Sequence, residues 1–238
     1  AMVSYPTYDA NQFFTDKAAR EFTRLSLDPT FPFINRAIQS AYPPASTFKV
    51  IMTAGLVEEE VFPITRKITC TGEIFYGDRV FRCHSKVGHG ALELFGGLAE
   101  SCDVYFYNVG DELGIERILY YSREFGLGSL TGIDLPGETR GFLPTPEWKQ
   151  QTQAMIWLGG DTLNISIGQG YLLTTPMQMA NVIAVIVNEG RVFRPHVLKE
   201  VRDPQSGDLI EAAEPEGLRA KLETAVRRRR APGGTSPT

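Results

Sequence analysis

The chain has no apolar run long enough to cross a bilayer, and its opening residues do not read as a secretory signal. It shows no internal repeat. It has no surplus of positive charge either. Lys and Arg number 24 against 28 Asp and Glu, a net −4, so nothing points to nucleic acid as a partner. The one basic run, Arg227 to Arg230, sits in a Pro/Gly/Ser/Thr-rich end, and 227–238 reads as a solvated, disordered tail. Cysteine and histidine are scarce, three of each: Cys70, Cys83, Cys102 and His84, His89, His196. The remainder is ordinary for a globular protein, with 42% hydrophobic and 22% charged residues. A length of 238 residues suits one large domain with a real core or two small ones.

Along the chain, residues 1–6 read as a strand already under way. That opening gives the expectation of a fragment of a longer protein, with any membrane anchor upstream. Asp16 to Leu27 reads as a helix stopped by Asp28-Pro29. Ser46 to about Glu58 is a second, with Phe48, Val50, Ile51, Ala54 and Val57 for its buried side. Residues 66–90 read as a structured loop or hairpin. Three short helices follow, Leu92 to Glu100, Asp103 to Leu113 and Ile115 to Phe125, separated by Ser101 and Gly114, with Gly126 as the C-cap. Residues 129–150 read as a Gly/Pro-rich connector anchored by Phe142 and Trp148. Thr175-Pro176 starts an apolar helix ending at Asn188-Glu189-Gly190. Residues 192–201 and 208–211 read as a hairpin, and Glu216 to Val226 as a last helix. The whole is expected to be one α/β domain, rich in helix, over 1–226.

The most informative stretch is Tyr42-Pro43-Pro44-Ala45-Ser46-Thr47-Phe48-Lys49. Residues three apart share a helix face, so Lys49 is expected beside the Ser46 hydroxyl. A serine is a weak nucleophile until a base takes its proton. A lysine in low-dielectric surroundings is suited to that task. Ser-x-x-Lys by itself also fits a capping serine and a solvated lysine.

Several further stretches carry a resemblance. They are Ala1 to Pro6, Asn35 to Gln39 running into Tyr42-Pro43-Pro44, Gly132 to Glu138, Pro144 to Lys149, Gly160-Asp161-Thr162, Ser166 to Gly170, and Thr175 to Ala180. In order and together they resemble the transpeptidase domain of class B penicillin-binding proteins, of the penicillin-binding protein 2 type. Ala45 stands where that family usually has Gly. The family's second motif, Ser-x-Asn or Ser-x-Asp, maps to Ser101-Cys102-Asp103. The resemblance makes Ser101 a proton relay and Asp103 the electrostatic support of Lys49. The third motif, Lys-Thr/Ser-Gly, is not found. It is expected on a strand after residue 215, where the only lysine is Lys221. That strand would supply an oxyanion-hole amide, and one such donor is worth about 100–1,000-fold in rate.

The resemblance implies the penicillin-binding transpeptidase (β-lactamase-like) fold, α+β, with helices packed on an antiparallel sheet and the C-terminal sheet strands missing. It implies acyl transfer on D-Ala-D-Ala stem peptides through a Ser46 acyl-enzyme, with the Ser46 N–H as half of the oxyanion hole. It also implies acylation by β-lactams, a cell-wall glycosyltransferase partner, and a periplasmic location. Two rivals stand beside it: a D,D-carboxypeptidase or β-lactamase-like hydrolase, and an inactive interaction module. Asn164 to Gly170 and Trp157 read either as surroundings of the site or as turn and core.

Cys70, Cys83, His89 and Cys102 make a Cys₃His set of the structural zinc kind, with Asp78 and His84 as substitute ligands. Some members of the resembled branch also carry metal ligands in this stretch. A Cys70–Cys83 disulfide or three buried free thiols are the alternatives.

Overall fold

The computed structural model describes residues 2–214 and 216–218. Helices dominate and surround α5 (Asp103–Glu124). That helix starts at Cys102, whose sulfur accepts the Tyr105 N–H at 3.4 Å. It breaks its geometry at Gly114, at φ 71° and ψ 162°, where the sequence separates two helices. Gly126 closes it: the Leu127 N–H returns to Ser122 O at 2.9 Å, and Gly126 sits at φ 87°. Val104, Phe106, Val109 and Ile118 of α5 are buried with Ile51, Met52 and Leu56 of α3 (Lys49–Glu59) and Leu163 of α7 (Gly159–Ser166). Burial of each such side chain contributes about 1.5–3 kcal/mol.

The approach of α5 to α7 is set by a glycine. A Cβ on Gly110 would lie 2.5 Å from Ser166 Cβ, so only glycine lets the two helices meet there.

Around this core lie α1 (Ala18–Ser26), α2 (Arg36–Gln39), α4 (Leu94–Ala99), α6 (Pro146–Gln153) and α8 (Pro176–Val187). A Thr175–Gln178 capping box and Pro176 in the first turn start α8, and Gly190 ends it, as its sequence predicts. The strands form four antiparallel pairs: β1 (Ile68–Cys70) with β4 (Gly90–Leu92), β2 (Glu73–Tyr76) with β3 (Arg79–Arg82), β5 (Val192–Phe193) with β8 (Gly217–Leu218), and β6 (Glu200–Arg202) with β7 (Leu209–Ala212). The 66–90 stretch is thus a folded double hairpin.

Several expectations are corrected. Met2 to Pro6 form no strand; Ser4 Oγ instead bonds Ile34 O and the Arg36 N–H. The helix expected from Ser46 starts with a 3-10 turn, Ala45–Phe48, before α3. The 129–150 connector runs into α6, where Thr145 accepts the Trp148 N–H at 3.1 Å and Pro146 fits the first turn. The expected 192–201 strand is split between two pairs. Gly217–Leu218 is a strand on β5, not the start of a helix, because its backbone finds partners there. The rest of that expected helix, the 227–238 tail and Lys221 lie outside the described residues.

Candidate active site and metal cluster

The turn that carries Ser46 is held by backbone bonds from a distant segment. Tyr42 and Thr174 exchange N–H···O bonds at 2.9 and 2.8 Å, and the Ala45 N–H donates to Gly168 O at 2.9 Å. Ala45 is thereby held at φ 48°, a left-handed conformation that costs an L-residue about 1–2 kcal/mol. This gives a physical reason for the family's preference for glycine there. Ser46 follows, exposed at the start of a cavity.

Lys49 is fully buried. Its ammonium has three protons to donate, and three acceptors meet it. They are Asp103 Oδ1 at 2.6 Å, Ser101 O at 2.7 Å and Ser101 Oγ at 3.2 Å. The Phe106 ring centre lies 5.5 Å away. In this arrangement Lys49 is turned to the second motif, and Ser101 stands between it and the cavity. Ser101 itself is at φ 50°, so both residues at the turns flanking Lys49 are left-handed. Such strain persists where the surroundings over-determine it.

Asp103 has a second partner that the sequence did not assign to it. Its Oδ2 accepts the His84 backbone N–H at 3.0 Å, and His84 Nδ1 lies 3.6 Å away. Ser46, His84, Ser101, Asp103, Ile167 and Gln169 share an open cavity of about 420 Å³. A larger cavity of about 610 Å³ lies beyond it, between the β2–β3 hairpin and α7. The candidate residues meet in the smaller one, which Ser46, Ser101 and Asp103 line together.

α7 carries the 166–170 turn to the nucleophile. Its start is tied by a buried pair: Lys149, 2% exposed, donates to Asp161 Oδ2 at 2.6 Å, and the same oxygen accepts the Leu158 N–H at 2.8 Å. Trp157 Nε1 donates to Thr162 Oγ1 at 2.9 Å. Neither α7 nor its Lys149 anchor was assigned from the sequence. The acid three residues after Leu158 was the available signal.

The structure brings together all four residues of the Cys₃His set. The ligand atoms of Cys70, Cys83, His89 and Cys102 lie within 4.8 Å of one another. Strand pairing does this: Cys70 sits opposite Gly90, the His89 N–H reaches Cys70 O at 3.1 Å, and the Cys83 N–H reaches Gly72 O at 2.8 Å. Cys83 Sγ is 3.6 Å from His89 Nδ1. All three cysteines are buried and free, so the Cys70–Cys83 disulfide is not formed. Of the substitute ligands, His84 lies with Cys83 and Asp103, whereas Asp78 lies at the hairpin turn outside the cluster. Burial pushes the Cys102 thiol up to about 12, against the Tyr105 N–H. Burial also works to raise Cys70, but N–H groups of Gly72 and His89 and the neighbouring thiols outweigh it and leave it lowered.

Comparison with known proteins agrees with this geometry. A family model of the penicillin binding protein transpeptidase domain matches residues 1–230. The peptidoglycan D,D-transpeptidase MrdA of Haemophilus influenzae is 39% identical over 205 residues, 84% of this chain and 31% of that protein. The chain therefore spans about a third of the length of the curated relatives it matches. A solved complex of penicillin-binding protein 2 with MreC from Helicobacter pylori aligns at TM-score 0.78 and 31% identity, covering 96% of this chain and 41% of that one. The penicillin G acyl-enzyme of penicillin-binding protein A from M. tuberculosis aligns at TM-score 0.80 and 25% identity, over 96% and 52%. The chain belongs to the penicillin-binding protein transpeptidase domain family, in its penicillin-binding protein 2 (MrdA) type.

Proposed function

We propose that this chain is the acyl-transfer domain of a D,D-transpeptidase that cross-links peptidoglycan stem peptides and is acylated by β-lactams. The observation that carries the reading is one cavity lined by Ser46, Ser101 and Asp103, with the buried Lys49 bonded to Ser101 and Asp103 through three acceptors. Ser46 Oγ attacks the carbonyl of the penultimate D-Ala. Lys49 must first release one of its three protons; its free nitrogen then takes the Ser46 proton and returns it through Ser101. Ser101 hands its own proton to the leaving amine of the terminal D-Ala and is reprotonated by Lys49. An amine from a neighbouring strand then resolves the ester, forming the cross-link and freeing Ser46. The Ser46 N–H, in the 3-10 turn ahead of α3, would stabilise developing negative charge on the carbonyl oxygen. The third motif is not found in the sequence, and Lys221, the only lysine after residue 215, lies outside the described residues.

The same reading assigns a structural zinc to Cys70, Cys83, His89 and Cys102. Tetrahedral Zn–S bonds of about 2.3 Å place sulfurs about 3.8 Å apart, and the 4.8 Å grouping of this buried donor set fits that demand. The ion would supply no step of the reaction. It would fix Cys102, and with it the Ser101 and Asp103 neighbours that hold Lys49. Among the described residues no helix is long and apolar enough to cross a membrane. Substrate chemistry places the domain on the outer, periplasmic side of the membrane. A glycosyltransferase is the natural partner, since cross-linking consumes the strands that polymerisation supplies.

The test is intact-protein mass after incubation with benzylpenicillin. A single adduct that disappears in Ser46→Ala supports the reading. A folded protein that takes no adduct contradicts it.

A further inference from the structure

Cys83 places its sulfur between two imidazoles. His89 Nδ1 lies 3.6 Å from it and His84 Nδ1 3.8 Å, and the two ring centres are 5.0 Å apart. His89 belongs to the buried Cys₃His set, and His84 does not. The His84 side chain is 56% exposed, lines the catalytic cavity, and brings its Nδ1 within 3.6 Å of Asp103 Oδ2. The donor atoms of Cys83, His84 and Asp103 thus form a second group within 4.8 Å of one another, and two of the three residues line that cavity.

The spacing suits an ion. Tetrahedral zinc bonds of about 2.0–2.1 Å set a nitrogen and an oxygen about 3.3 Å apart, and a zinc–sulfur bond of about 2.3 Å sets sulfur and nitrogen about 3.6 Å apart. The observed 3.6 and 3.8 Å need closures of only about 0.3 and 0.2 Å. Each donor has capacity for the ion. Asp103 Oδ2 accepts one N–H, from His84 at 3.0 Å, and keeps a second lone pair, while Oδ1 stays with Lys49 at 2.6 Å. A thiolate has lone pairs enough to bridge two ions, so Cys83 can serve this ion and the buried set together. The fourth position opens on the cavity, as in a three-ligand zinc site and unlike a closed structural one.

We propose that Cys83, His84 and Asp103 form a second metal site, for a divalent ion of the zinc class, and that its occupation obstructs acylation of Ser46. Thiolate, imidazole and carboxylate together favour zinc over magnesium or calcium, which take oxygen ligands. Three ligands and an open face make this the weaker of the two sites, filled only when the ion is in excess. Its effect follows from Asp103. Negative charge drawn towards the ion is withdrawn from Lys49, and the ion with its water stands in the cavity that Ser46 and Ser101 line. The obstruction rests on the acyl-transfer reading above, and the site itself does not.

The test is zinc titration of the purified chain by equilibrium dialysis, with His84→Ala, an exposed truncation, beside it. Benzylpenicillin labelling of Ser46 is read at each zinc concentration. The unaltered chain is expected to bind one ion more than His84→Ala, and excess zinc is expected to slow its labelling about tenfold. Labelling of His84→Ala should be unaffected by zinc, and magnesium should affect neither chain. Each chain is compared with itself, so a variant that labels slowly throughout still gives the ratio. Equal zinc uptake by the two chains, or labelling that zinc slows equally in both, overturns the site. An extra ion without slower labelling overturns the obstruction. An extra ion on a folded chain that never takes benzylpenicillin supports the site and sinks the acyl-transfer reading, and with it the obstruction.

Discussion

The Ala45 N–H donates to Gly168 O at 2.9 Å, so the turn that presents Ser46 is fastened to the end of α7. The contact leaves no room on either side. Gly168 lies at φ 72°, and a Cβ there would fall 2.1 Å from Ala45 O. Gly168→Ala should therefore push the two turns apart and lower the rate of Ser46 labelling by benzylpenicillin at least tenfold. Ala45→Gly should act the other way. It removes a left-handed alanine and should stabilise by about 1 kcal/mol, raising Tm by about 2–4 °C in a chain of this size. A drop in Tm for Ala45→Gly would show that φ 48° carries no strain.

Lys49 is fully buried, and Asp103 is its anionic partner at 2.6 Å. Removing one member of a buried pair leaves an uncompensated charge and costs about 3–5 kcal/mol. Asp103→Ala should lower stability in urea by that amount and abolish Ser46 labelling. Replacing both, as Lys49→Met with Asp103→Leu, should recover most of the stability and none of the labelling. A double variant as unstable as the single one would refute a charge-based account.

If zinc occupies the Cys₃His cluster, a chelator should lower Tm, and elemental analysis should find one zinc per chain before treatment. Cys102→Ser should weaken retention, and because Cys102 sits between Ser101 and Asp103 it should also slow Ser46 labelling. An unchanged melt with no metal in the purified protein would remove the zinc from this account.

Tyr107 and Tyr121 are both raised above the ordinary tyrosine value of 10.0, burial being the first cause in each. For Tyr121 the Glu59 carboxylate, accepting its hydroxyl at 2.9 Å, adds to the effect. The folded state therefore holds these protons more tightly than the unfolded chain. Their contribution is fully present below pH 10 and is lost as pH rises through the raised folded values. Unfolding free energy measured from pH 8 upward should fall above about 10, and Tyr121→Phe should flatten the fall. A curve indifferent to Tyr121→Phe would show that another group controls alkaline unfolding.

Much was legible in the residues themselves. Thr175-Pro176 with Gln178, and Asn188-Glu189-Gly190, mark α8 because caps are local chemistry. Gly114 and Gly126 mark the break and the end of α5 for the same reason. Ser46, Lys49, Ser101 and Asp103 were nameable because short motifs preserve the spacing that chemistry requires. The strand expected over 1–6 failed, since extended backbone becomes a strand only when another segment offers the matching donors and acceptors. In the same way Gly217–Leu218 became a strand because β5 lies beside it. The sequence by itself thus determined the helix boundaries with strong caps, and it singled out Ser46 and Lys49 as the candidate nucleophile and base and four candidate metal ligands. Tertiary structure alone decided that Lys49 turns to Ser101 and Asp103, that the His84 backbone serves Asp103, that Lys149 anchors α7, and that Gly168 grips Ala45. Each of those depends on groups 12 to 123 positions apart in the chain, and nothing in local backbone preference encodes which distant surfaces meet.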